Sequence, residues 1–159
     1  MSAQEQQIEG EPESKTRLRL WLRLLKFSRG IESELRENLR KEFSSTLPRF
    51  DVMAALNRNR DGMKMSAISN ALMVSNGNVT GIVDRLVSEG FVIRETVPGD
   101  RRAMRVRLTA PGQAEFDQQA AAHEAWIDGL LKSFSAENAK EMIKCLEDAG
   151  LNETGQGPT

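Results

Sequence analysis

Between residues 15 and 43 apolar side chains recur at Leu18, Trp21, Leu22, Leu25, Ile31, Leu35, Leu39 and Phe43, with no proline and one glycine in the stretch. Spacings of three and four predict one long helix, weakest at Ser28, Arg29 and Gly30. At 1.5 Å per residue it extends about 40 Å, longer than a small domain needs, so it is expected to pack on something else, often a second copy. Leu47-Pro48 reads as a stop, followed by a short helix over 49–57 whose apolar side is Phe50, Met53, Ala54 and Leu56. Ser66 is placed to cap a brief helix over 67–72, and Ser75 to cap another over 76–89 that Gly90 ends. Two short helices three residues apart have helix-turn-helix spacing. After Gly90 the period drops to two. Residues 91–97 and 103–109 read as a hairpin whose loop, "PGDRR", carries Arg101 and Arg102 at its tip. Thr109 then caps a helix with Pro111 in its first turn, and Ser135 caps a last one carrying Met142, Ile143, Leu146 and Ala149. The pattern is mainly α with a small β-hairpin.

Composition narrows the function classes. The chain has 159 residues, 39% of them apolar, enough for one core or a small domain with protruding helices. No run approaches the ~20 apolar residues of a membrane helix, and the first 14 residues lack the basic flank and apolar stretch of a signal peptide. A cytoplasmic protein without a membrane partner is expected, with an acidic disordered tail at 1–14 and a flexible one at 151–159. A single cysteine, Cys145, and a single histidine, His123, leave no disulfide framework and no ordinary zinc site, so neither metal nor cofactor is expected. Cys145 lies beside Ile143 and Leu146, which reads as a buried, inert thiol.

The net charge of −1 hides a segregation. Residues 15–110 carry nineteen Lys and Arg against ten Asp and Glu, while residues 1–14 carry four acids and no base and residues 111–159 nine acids and three bases. A basic middle between acidic ends fits a polyanion partner, nucleic acid first, or else a solvated charged surface. In the helix over 76–89, Val79, Ile82, Val83, Leu86 and Val87 share one side. Asn76, Gly77, Asn78, Thr80, Gly81, Asp84 and Arg85 remain outward, small or amide-bearing near the helix start. Asn can pair with adenine in the major groove, Thr offers a hydroxyl and a methyl, and a helix N-terminus behind Ser75 favours phosphate. The plainer alternative is an amphipathic helix with a wet outer face. Beside it, Arg101 and Arg102 on a thin loop could reach a minor groove, with Asp100 pairing one guanidinium to orient it. Arg94, Arg105 and Arg107 on the strands suit either phosphate contacts or structural ion pairs. Met104, Val106 and Leu108 are expected to pack inward.

The order helix, short helix, helix-turn-helix, hairpin and long helix, with "NVTGIVDRLVSEGFVIRETVPGDRRAMRVRLTAPG" at its centre, resembles the MarR family of multiple-antibiotic-resistance regulators. The resemblance covers residues 15–150. Asp100 and Arg102 stand at the ends of that family's wing motif, and Thr109 with Gly112 opens the following helix. The resemblance implies a winged helix-turn-helix over 47–108, flanked by dimerisation helices over 15–46 and 109–150 that interlock in a homodimer. It also implies that the helix over 76–89 enters the major groove of double-stranded DNA and that Arg102 enters the minor groove. Two such helices on one face of DNA would read a pseudo-palindromic operator with half-sites ~10 base pairs apart.

Members of this family commonly release DNA when a small aromatic or acidic molecule binds between the dimer helices and the winged domain. Trp21, Phe27, His123 and Trp126, with Arg36 and Arg40 as an i, i+4 pair, would suit an aromatic acid or its thioester. The segments "RLWLRLL", "TLPRFDVMAAL" and "HEAWID" resemble the branch that responds to hydroxycinnamoyl-coenzyme A esters. The competing reading makes the four rings core and the two arginines a solvated face. An enzyme is not expected, because no nucleophile and base converge with a pocket and no Gly-rich phosphate loop follows a strand. The expected function is therefore a ligand-responsive transcriptional regulator, most simply a repressor. A ligand-independent architectural DNA-binding protein is the alternative.

Overall fold

A computed structural model describes residues 10–72 and 76–150. In chain order it has α1 (Glu13–Phe43), α2 (Leu47–Arg58), α3 (Met65–Leu72), α4 (Asn76–Ser88), β1 (Val92–Val97), β2 (Asp100–Leu108), α5 (Ala110–Leu130) and α6 (Ala136–Asp148). The mainly helical fold with one antiparallel hairpin is as expected. Most of both expected tails, and Ser75, lie outside the described residues.

The long first helix runs without a break. At its expected weak point the Ser28 hydroxyl donates to the Leu24 carbonyl at 2.8 Å, a bond compatible with the helix. It also begins within the expected tail, at Glu13, and Glu11 just before it meets Arg19. Pro48 starts a helix rather than stopping one. It stands in the first turn of α2, where its missing N–H has no carbonyl to meet, and the Thr46 hydroxyl accepts the Arg49 N–H at 3.3 Å. Phe50, Val52, Met53, Ala55 and Leu56 are all buried. The single apolar side expected for this helix is incomplete because α2 is central, in contact with α1, α3, α4 and β2. Ser66 is likewise not a cap: α3 begins at Met65. Met63 forms an antiparallel bridge to Val106, N–H to carbonyl at 2.8 Å in both directions, and the chain enters the helix directly afterwards.

The core of this region is Leu39, Val52, Met53, Leu56, Ile68, Val79, Val83, Leu86, Val92 and Val106, each fully buried. Every such side chain contributes about 1.5–3 kcal/mol relative to exposure. Gly90 ends α4 at φ +81, with its N–H on the Val87 carbonyl and the Phe91 N–H on the Leu86 carbonyl, both at 3.0 Å. That is the Schellman pattern, which needs a left-handed residue. The hairpin then returns to α5 through Thr109, whose hydroxyl donates to the Gly90 carbonyl at 2.6 Å and accepts the Gly112 N–H at 3.0 Å. Here backbones touch: a Cβ on Gly112 would stand 1.9 Å from the Phe91 carbonyl oxygen.

The chain divides within α5 into two compact units, Met1–His123 and Glu124–Thr159. In the first, α1 buries only Leu35 and Leu39, while Leu18, Leu20, Trp21 and Leu22 are all more than half exposed. In the second, Ser135 caps α6 as expected, accepting the Asn138 N–H at 3.1 Å, but the helix buries no residue. Cys145 is therefore exposed, not the buried thiol its apolar neighbours suggested, because Ile143 and Leu146 beside it are themselves 54% exposed.

Candidate nucleic-acid interface

Packing of Val79, Val83 and Leu86 into the core fixes which side of α4 faces outward. Asn78, Thr80, Gly81, Asp84 and Arg85 are exposed. Asn76 opens the helix, its side chain lying outside the described set as Ser75 does.

The wing differs from expectation in a way that matters. Its tip is Pro98-Gly99 alone, with Gly99 at φ +82, the proline-glycine order that a type II turn favours. Val97 pairs with Asp100 and Thr96 with Met104, so Arg101, Arg102 and Ala103 are extra residues on β2. Arg101 and Arg102 thus sit on a strand bulge rather than at the loop tip, because the turn closes before them. Both are exposed, and among the described residues neither guanidinium meets a carboxylate. Asp100 does not grip an arginine head as expected. Its short side chain folds back to accept the Arg102 backbone N–H at 3.0 Å, which fixes the bulge instead. Met104 is 44% exposed and not inward, since the bulge lies where the hairpin has passed the core; Val106 is the buried residue of this strand.

The other arginines of the region are occupied. Arg94 pairs with Asp84, tying β1 to α4. Arg105 and Arg107 both donate to Glu95, at 3.0 and 2.9 Å, and the Arg105 stem lies on Gly62, where a Cβ would come within 3.0 Å of it. The Arg107 hydrogen bond first, then that of Arg105, holds the Glu95 carboxyl below the usual carboxylate range despite its desolvation. Arg85 meets Glu89 at 3.4 Å, and Glu89 also takes Arg49 of α2. The open choice between phosphate contacts and structural pairs at Arg94, Arg105 and Arg107 therefore resolves to pairs in this structure. Glu95 and Glu89 were missed from the sequence. Glu95 was findable, since a loop over 98–102 already sets Glu95 opposite Arg105; the Arg49–Glu89 pair spans forty residues and has no local signal.

Comparison with known proteins decides the family. A model described as MarR family matches residues 46–104, the whole of this helix-turn-helix and most of the wing. The crystal structure of a MarR family transcriptional regulator from Silicibacter pomeroyi aligns with a TM-score of 0.72 at 33% identity, over 87% of this chain and 95% of that one. This chain belongs to the MarR family. The HTH-type transcriptional regulator YkoM of Bacillus subtilis (strain 168) is 29% identical over 128 residues, 79% of this chain and 82% of YkoM. A mutant MarR from E. coli complexed with operator DNA shares the fold at a TM-score of 0.71 and 23% identity, over 87% of this chain and 98% of that one. This MarR family protein is thus a transcriptional regulator of a DNA-binding family.

In this MarR family member the residues expected to hold an effector are spread along α1 and α5. Trp21 and Phe27, which one reading made core, are 55% and 46% exposed. Arg36 pairs with Glu32 at 3.2 Å, and Arg40 with Glu37 at 2.7 Å. Hydrogen bonds from Arg40 and then Lys41 pull the Glu37 carboxyl down to about 2. Trp21 and Arg36 lie about 22 Å apart along α1 at the rise of a helix. His123 is half-buried, its ring stacked on Phe50 at 4.6 Å between centroids, with Phe116 at 5.6 Å on the same ring. Burial lowers the His123 pKa, opposed by the charge of Asp51, while burial raises that of Asp51. Trp126 is half-buried in the second unit. A cleft of about 200 Å³ lies elsewhere, lined by Leu56, Arg60, Leu108, Thr109, Ala110 and Gln113, none of them expected.

Proposed function

We propose that this regulator binds a pseudo-palindromic operator in double-stranded DNA as a homodimer, with α4 in the major groove and Arg102 in the adjacent minor groove. One observation carries the reading: among the described residues Arg101 and Arg102 are exposed without carboxylate partners, while Arg85, Arg94, Arg105 and Arg107 beside them are all in ion pairs. Free arginines on a thin projection suit the negative potential of a narrow groove. In this reading Asn78 and Thr80 on α4 supply groups that read base edges, Arg101 contacts phosphate, and Arg85 does so on leaving Glu89. Ser75 and Asn76 belong to the same reading by sequence, at the helix N-terminus. A second copy covers the apolar residues left bare on α1 and α6, and the bound operator of the E. coli relative agrees with the DNA role.

The regulator acts as a repressor released by a small aromatic acid or an aromatic acyl-coenzyme A. Exposed Trp21 and Phe27, with Arg36, Arg40, His123 and Trp126, supply rings and cations for such a molecule once two copies assemble. The test starts from duplexes selected out of a random pool. Arg102→Ala is expected to weaken binding by roughly tenfold, about 1.4 kcal/mol, and to relax preference at the flanking A·T positions. Equal affinity and an equal footprint would exclude the minor-groove role. Failure of every aromatic acid and acyl thioester to release the duplex would leave a ligand-independent architectural binder.

A further inference from the structure

Gly81 stands inside α4, where glycine weakens a helix relative to alanine. Packing does not explain it, because a Cβ built there meets nothing within 4 Å. Gly112 is the contrast, closed to any side chain by the Phe91 backbone. Gly30 and Gly129 are as open as Gly81, on α1 and α5, helices assigned above to the second copy. What distinguishes Gly81 is its position. Two residues beyond Val79, it lies about 200° round the helix from that core contact, on the crest of the outward side. The charged side chains flanking it are held in ion pairs, Asp84 with Arg94 on β1 and Arg85 with Glu89 just past the end of α4. The crest is left as bare backbone at Gly81, with Asn78 and Thr80 exposed on either side of it.

We propose that Gly81 is a close-approach position: α4 lies against DNA along its bare crest there, which brings Asn78 and Thr80 within direct reach of base edges. This rests on the DNA-binding reading above. A side chain at 81 displaces the helix outward and lengthens those contacts, although it strengthens the helix itself. Stability and binding must then move in opposite directions.

The experiment uses the full-length chain, Gly81→Ala and Gly81→Leu, with a duplex selected by the unaltered protein from a random pool. Both variants are expected to melt at or above the unaltered temperature. Affinity for the selected duplex should fall in the order Gly, Ala, Leu, by roughly tenfold for Leu, the scale of one lost base contact. Two variants that melt normally and bind within twofold of the unaltered chain would overturn the role of Gly81 and leave the DNA-binding reading standing. An unaltered chain that selects no sequence at all would remove both. Should Gly81→Leu fold poorly, Gly81→Ala alone decides by the same comparison.

Discussion

The winged region and the two outer helices are built from similar apolar residues and put them to opposite ends. In the winged region Leu56, Ile68, Leu86 and Val106 are closed off from solvent by α2, α3, α4 and the hairpin. On the amino-terminal half of α1 and on α6, Leu18, Trp21, Leu22, Ile143 and Leu146 stay more than half exposed. Both sets follow helical or strand periodicity, so periodicity marks a face that will be buried without saying against what. The two sets thus differ in what packs against them: the first meets other elements of the same chain, and the second is left as exposed apolar surface of the kind that marks an interaction site.

The largest effect expected is at the joint of wing and α5. Gly112→Ala drives a methyl into the Phe91 carbonyl and should cost about 3 kcal/mol or more, read as a shifted denaturant midpoint. A variant as stable as the parent would mean that the wing is not seated on α5 as described. Next, Leu56→Ala should cost about 2–5 kcal/mol at every protein concentration. The joint change Ile143→Ala with Leu146→Ala should leave the winged region's own unfolding within about 0.5 kcal/mol, while making assembly weaker in sedimentation. If the double change destabilised the chain as Leu56→Ala does, the contrast between the two regions would be lost.

A smaller effect is expected with pH. The folded pKa of His123 lies below its ordinary value of 6.5, so on acidification the unfolded chain takes the proton first. Stability from this group is complete above about pH 6.5 and is lost as pH falls through that value toward the folded pKa. Asp51 has the opposite sign: its pKa is raised above 3.8, so its contribution is recovered only in more acid solution. His123→Phe keeps a ring on Phe50 and should flatten melting temperature against pH between about 7 and 5; an unchanged slope would assign it to another group. The smallest effect is expected from Glu95→Gln, which loosens Arg105 and Arg107 on the strand surface by no more than about 1 kcal/mol. A much larger loss of stability would show the hairpin to depend on this pair of bonds.

Much of the architecture was legible along the chain because it rests on local rules. Caps at Thr109 and Ser135 and the glycine stop at Gly90 all appear where the residue types place them. The errors have local causes as well. Pro48 opens a helix as readily as it ends one, and the choice fell to Thr46, whose hydroxyl caps α2. "PGDRR" permits either a five-residue loop or a two-residue turn with a bulge, and both leave Glu95 opposite Arg105.

Element order, a helix whose outer side is small and polar, and the concentration of arginine that follows it can all be read along the chain. These depend on periodicity, turn chemistry and charge, which act over a few residues. Which arginines remain available emerged from the packing, because Asp84 reaches Arg94 from α4 to β1 and Glu89 reaches Arg49 across forty residues. It alone decided that Cys145 and Trp21 stay exposed, since burial depends on what packs against a face and not on the face itself.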